Sequence, residues 1–335
     1  MKKLLTIVIP TYNTEKYLNQ CLNSLLQTRH LEQTELLIVN DGSKDSSGEI
    51  AEEYAANYPG IVSVIHKENG GHGSAINTGI KNATGKYFKV LDSDDWVDTE
   101  NYNCFLEKLQ ELDCDLVATP FICMYQKDGE TLRGQVRGIE GRTGLESGKV
   151  LDFKAYADKL HVRMHQWTIR TEILHANNIT LTEHSYYVDM QYILYPVPWL
   201  QSFCILDEPV YCYRLGDEGQ SVAVKNMQKN REQHQNVLCL LVDFYKKRMA
   251  AQDEKSVLAY IARGIAKMQA DEVQIALSMP IGKASKAELK AQEKYLKQAC
   301  PAAYKANEKF SIKLLRRSGY LLYPVAAWMW RMVKK

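Results

Sequence analysis

Residues 90–96 read VLDSDDW and set three carboxylates, Asp92, Asp94 and Asp95, directly behind the strand-like run KYFKVL. Like charges this close are costly unless protons or a cation neutralise them. A divalent cation held against a diphosphate is one solution, because Mg²⁺ takes only one or two protein carboxylates and completes its shell with phosphate oxygens and water. Asp and Ser also favour turns, so the cluster by itself reads equally as a solvated loop.

Three further groups share its position behind a strand: Pro10-Thr11-Tyr12-Asn13, Asp41-Gly42-Ser43 and Asn69-Gly70-Gly71. Each is ordinary turn composition. Together they have the chemistry to hold a nucleoside diphosphate. Tyr12 offers a ring face to a base, and Asp41 accepts from an imide N–H or a ribose hydroxyl. The glycines of residues 70–73 let the backbone come close.

The elements that must position these groups follow from periodicity. Residues 4–9, 35–40, 61–66, 86–91 and 115–119 read as strands. Residues 15–27, 73–83 and 99–113 read as helices, as does the segment after Ser46, which has capping-box spacing to Glu49. This alternation predicts an α/β domain with a mostly parallel sheet flanked by helices. In such sheets ligands sit at the carboxyl ends of the strands, where all four groups fall. Residues 128–148 hold six glycines and many charges, and fit a mobile loop or hairpin.

The segments TIVIPTYNTEKYLNQCLNSLL, ELLIVNDGSKDSS and ENGGHGSAINTGIKNATGKYFKVLDSDDW resemble the family 2 glycosyltransferases of bacterial cell-surface glycan type, as do, more weakly, YYVDMQYILYP and YCYRLGDEGQSV. The resemblance implies the Rossmann-like A-type glycosyltransferase fold over residues 1–225. It implies a nucleotide site at Pro10, Thr11, Tyr12, Asn13, Asp41, Gly71, Gly73, Asn77, Asp92 and Ser93. It gives Asp94 to Mn²⁺ or Mg²⁺ and makes Asp189 the base that deprotonates the acceptor. Asp95, Trp96, Arg214, Gln220 and Ser221 become acceptor or diphosphate contacts. Val188 departs from the pattern, since a glutamate often precedes the base in such enzymes.

Transfer with inversion needs one carboxylate as general base on the face opposite the leaving nucleotide. A divalent metal neutralises the departing diphosphate. No covalent nucleophile is required. Asp189 opens an apolar segment, which also suits a helix N-cap. Glu183 and Asp207 are the next candidates for the base. Lys67 and His72 lie close to the nucleotide motifs. His234 is a candidate metal ligand, and Trp167 is either an acceptor contact or core.

The bulk properties exclude other classes. A net charge of +2 gives no reason to expect nucleic acid. The eight cysteines form no CxxC pair, which argues against zinc or a disulfide framework. The first strand begins within four residues of the start, so the chain is expected to stay in the cytoplasm. Residues 226–310 read as a helical domain. Residues 311–335 carry six cations and no acidic residue around GYLLYPVAAWMW, an amphipathic basic and aromatic tail suited to the inner-leaflet surface, or to docking on the protein itself.

The expected activity is an inverting, metal-dependent hexosyltransferase. It would act on a nucleotide sugar, with UDP favoured, and on a glycan or lipid-linked glycan acceptor, peripherally on the inner face of the cell membrane. Two alternatives stay open. One is a non-catalytic nucleotide-sugar-binding or scaffold subunit, towards which Val188 points. The other is a sugar-nucleotide nucleotidylyltransferase, which normally has a basic glycine-rich loop where this chain has PTYNTEKY.

Overall fold

A computed structural model describes residues 3–127, 130–216 and 224–333. The chain divides into two compact units, Met1–Asp217 and Glu218–Lys335.

The first unit begins as the periodicity predicts: β1 (Leu5–Thr11), α1 (Glu15–Leu26), β2 (Thr34–Asn40), α2 (Ser47–Asn57), β3 (Val62–His66), α3 (His72–Asn82), β4 (Tyr87–Val90). It continues through β5 (Trp96–Val97), α4 (Thr99–Glu111), β6 (Leu116–Ala118), β7 (Phe121–Lys127), β8 (Glu130–Arg137), β9 (Leu151–Asp152) and α5 (Phe153–Tyr156). The last elements are β10 (Trp167–Arg170), α6 (Thr171–Ala176), α7 (Asp189–Leu194), β11 (Ser202–Ile205) and β12 (Tyr211–Leu215).

Eight strands form the main sheet in the order β3-β2-β1-β4-β10-β6-β11-β9. β1 runs parallel to β2 and β4, and β2 to β3, while β10 enters antiparallel between β4 and β6. The chain order reverses around β1, so its carboxyl end and that of β4 flank the crevice where such sheets bind ligands. α1 buries Leu18, Cys21, Leu22, Leu25 and Leu26, the stripe expected from its 3.6-residue period, in a core shared with β1, β2 and α4. A second sheet, β5-β12-β7-β8, was not anticipated as such. It takes in the hairpin made from the start of the glycine-rich stretch, and it sets β12 behind the aspartate cluster.

The described residues of the second unit are helical: α8 (Val224–Lys229), α9 (Arg231–Ala250), α10 (Lys255–Ser278), α11 (Lys283–Ala299), α12 (Pro301–Ala306), α13 (Phe310–Arg317) and α14 (Tyr323–Val333). Its core joins Ala270, Val273 and Leu277 of α10 to Ile312 and Leu315 of α13 and to Tyr323 and Ala327 of α14.

Candidate active site at the carboxyl edge of the sheet

Four loops meet at the ends of β1 to β4. After β1, Thr11 is buried and donates its hydroxyl to the Ile9 carbonyl at 3.0 Å. Asn13 is left-handed, with φ of 53°. Its side-chain oxygen accepts from the Lys44 N–H at 2.8 Å, and its own N–H donates to Ser43 Oγ at 3.1 Å. Between them Tyr12 is 47% exposed, which leaves its ring available to a base.

Asp41, just past β2, is only 3% exposed. Its carboxylate accepts from Lys67 Nζ at 2.7 Å and from the N–H groups of Gly70 and Gly71 at 2.9 and 2.7 Å. The residue therefore fastens the loop after β3 to β2, and any contact with a base would share the carboxylate with these donors.

That loop is tied in turn to the segment carrying Asp189. The His184 N–H donates to the Gly70 carbonyl at 2.5 Å, and Asn77 brackets Leu181 with bonds of 3.0 and 2.8 Å. Gly71 has φ of 82° and lies against the His184 backbone, while a side chain at Gly73 would overlap the Thr182 carbonyl oxygen. Asp189 is the first residue of α7, half-buried, behind the fully buried Val188. His184 and Tyr187 both take left-handed backbone in the approach to it, a conformation non-glycine residues adopt only when their surroundings hold them there.

The aspartates divide into distinct environments. His72, at the start of α3, places Nε2 3.1 Å from Asp92 Oδ1. Burial alone would raise the pKa of Asp92, but the His72 charge and hydrogen bond hold it below the ordinary carboxylate range. Burial alone would lower the pKa of His72, but Asp92, with Asp189 and Asp94 behind it, raises it. His72 thus feels both the aspartate cluster and Asp189. Ser93 is buried and accepts from Thr14 Oγ1 at 3.0 Å. Asp94 is half-buried, and burial and the Asp92 charge push its carboxyl up to about 6. Asp95 is buried, accepting from the Tyr211 hydroxyl at 2.6 Å and the Arg214 N–H at 2.7 Å, and burial with its acidic neighbours raises it well above the usual range.

Arg214 on β12 is 4% exposed. Its guanidinium lies 4.6 Å from the Tyr17 ring and 4.7 Å from the Trp96 ring. It donates to the Asp94 carbonyl at 2.7 Å and to Gln20 at 2.6 Å. The side chain thereby clamps the aspartate loop from behind. Gln220 and Ser221 lie outside the described residues.

Carboxylates raised by burial and by mutual repulsion suit a divalent cation, which offsets both and competes with the protons. Asp92, Asp95 and His165 also bring one potential ligand atom each within 4.8 Å of one another. Burial pushes His165 down to about 4, so its imidazole is neutral and able to ligate. The donor set of carboxylate oxygens and one imidazole fits Mn²⁺, and the oxygens alone fit Mg²⁺.

No motif in the sequence pointed to His165. It reaches the cluster because its carbonyl and that of Trp167 accept from the buried Lys89 of β4, at 2.9 and 3.4 Å, and its ring packs on Tyr211 and Tyr213. Of the other residues weighed from sequence, Trp167 is fully buried, its ring facing Tyr192 edge-on. His234 pairs with Glu272 at 2.6 Å inside the helical unit. Glu183 accepts from Asn77, and Asp207 pairs with Arg142.

The fold is shared with solved structures. S. aureus TarS 1–349 aligns over 98% of this chain and 91% of its own, with TM-score 0.60 and 17% identity. The mannosyltransferase PcManGT from Pyrobaculum calidifontis, in complex with GDP-Man and Mn²⁺, aligns over 100% and 88%, with TM-score 0.51 and 15% identity. Sequence defines the class more narrowly. The model of glycosyl transferase family 2 matches residues 6–175, and the chain belongs to that family. The uncharacterised glycosyltransferase EpsJ of Bacillus subtilis (strain 168) is 32% identical over 64% of this chain. That match spans 62% of EpsJ, somewhat less than two thirds of the relative's length.

Proposed function

We propose that this protein is an inverting, metal-dependent glycosyltransferase that moves a hexosyl group from a nucleotide sugar, with UDP favoured, to a glycan or lipid-linked glycan at the inner membrane surface. The observation that carries the reading is geometric: His72 lies 3.1 Å from Asp92, and the loop and helix around His72 are hydrogen-bonded through Gly70 and Asn77 to the segment that leads into Asp189. Asp189 takes the proton of the acceptor hydroxyl as its oxygen bonds to the anomeric carbon, while the bond from that carbon to the diphosphate breaks on the opposite face. Asp94, with Asp92 beside it, would hold the divalent cation, which when bound neutralises charge on the leaving diphosphate. Tyr12 and Asp41 take the base side, and Asp92 and Ser93 the ribose side.

Family membership and the retained carboxylates weigh against the scaffold and nucleotidylyltransferase readings. TarS has been solved with UDP and with UDP-GlcNAc, and PcManGT with GDP-Man and Mn²⁺, which supports a nucleotide sugar and a divalent ion here. Thermal-shift screening of UDP-, GDP- and dTDP-sugars with and without Mn²⁺ tests the proposal. A UDP-sugar should stabilise the fold in a Mn²⁺-dependent way, and no stabilisation by any nucleotide sugar would contradict it.

A further inference from the structure

α13 and α14 dock one face on the helical unit and leave the other in solvent. On α13, Ile312 and Leu315 are buried, while Phe310 is 77% and Leu314 42% exposed. On α14, Tyr323 and Ala327 are buried, while Val325, Trp328 and Met332 are more than half exposed. Positions 325, 328 and 332 share one helical face, and the turn before it exposes Leu321 to 77%. Isolated exposed apolar residues are normal, but a concentration of them on the outer faces of two adjoining helices is the mark of an interaction surface.

The charges around these residues select the partner. Residues 309–333 contain no acidic residue. Two of the cations are engaged within the unit, Arg316 with Glu293 and Arg331 with the Met279 carbonyl. Lys309, Lys313 and Arg317 are exposed beside the apolar residues. A two-fold pairing of this face with itself would set those three cations against their own copies, with Glu308 the one exposed carboxylate next to them in sequence. An anionic lipid surface complements both features, with apolar side chains entering the acyl boundary and the cations at the headgroups. No described helix is long and apolar enough to cross a membrane, so the element would lie on it.

We infer that the exposed face of α13 and α14 is an interfacial anchor for an anionic bilayer, built on Phe310, Leu314, Leu321, Val325, Trp328 and Met332. The inference rests on the membrane-side reading above and names its surface, while owing nothing to the donor chemistry. It also narrows the expectation from sequence: the Tyr320 hydroxyl bonds Glu293 at 2.8 Å and Trp330 packs against the unit's own core, so neither belongs to the inserting set.

The test is flotation of the full-length chain with vesicles of phosphatidylcholine alone or mixed with phosphatidylglycerol, across salt concentrations. Wild type should float with the mixed vesicles and fall only partly at high salt, because screening removes charge attraction and leaves insertion. Lys313→Glu with Arg317→Glu should weaken low-salt partitioning by roughly a hundredfold. Leu321→Glu with Trp328→Glu should lose at least about tenfold at any salt. All four positions are exposed, so the variants should keep the wild-type melting temperature and UDP binding. Wild type failing to float at low salt would overturn the inference. So would an apolar variant that floats normally, or one whose only defect is dissociation of a dimer seen by ultracentrifugation. Loss of UDP binding in wild type would instead strike the transferase reading and leave the anchor standing.

Discussion

Asp189 and Arg214 make separable predictions at the scale of single residues. Asp189→Asn preserves shape and removes the base, so donor binding should stay near wild type while turnover falls by about 10²-fold or more. Turnover at the wild-type rate would put the base elsewhere, with Glu183 next because Asn77 ties it to the same loop. Arg214 should act through position. It holds the Asp94 carbonyl and sits between the Tyr17 and Trp96 rings, a geometry that needs a planar guanidinium. Arg214→Lys keeps the charge and loses the plane. Mn²⁺-dependent UDP affinity should drop by about tenfold, close to the loss in Arg214→Ala. Full rescue by lysine would mean that charge alone matters. Residue type and spacing singled out Asp41, Asp92 and Asp94 in the sequence, whereas Asp189 was singled out by the family resemblance. Type and spacing could not show that Asp41 and Arg214 are largely spent on the protein itself, because those partners come together only in the folded chain.

At the scale of elements, β4 carries a titration signature. Lys89 is buried, and burial pushes its ammonium down to about 7 from the ordinary 10.5. Between those values the unfolded chain binds a proton that the native state has released, so this group adds stability as pH rises from about 7 towards 10.5. Lys89→Met removes that contribution. Urea unfolding at pH near 7 and near 10 should show wild type gaining on the variant, by an amount on the order of a few kcal/mol. Parallel profiles for the two proteins would show that Lys89 is solvated or charged in the native state. The first four strands and their helices were readable because buried parallel strands appear as continuous apolar runs and their helices as 3.6-residue stripes. The second sheet was not, since β5 spans two residues and β8 is almost wholly exposed, with no buried alternation to mark it.

At the scale of the molecule, α13 and α14 belong to the helical unit and share its core. Tyr323 donates its hydroxyl to the Ala276 carbonyl at 2.7 Å, and Ile312, Leu315 and Ala327 complete the same core. Truncation before Ser311 should therefore lower the melting temperature by several degrees, whereas substitutions confined to the exposed face should not; calorimetric scanning of both distinguishes them. Composition could announce an apolar, cationic segment, but which side of each helix would be covered depends on α10, far away in sequence. The central claim is that the edge of the sheet after β4 binds a nucleoside diphosphate through a metal held by Asp94, apart from the base. Isothermal calorimetry of UDP, with and without Mn²⁺, on wild type, Asp94→Ala and Asp189→Asn tests it most directly. Mn²⁺ should strengthen UDP binding in wild type and Asp189→Asn alike, and Asp94→Ala should lose most of that gain. A folded Asp94→Ala with the full Mn²⁺ enhancement would contradict the account.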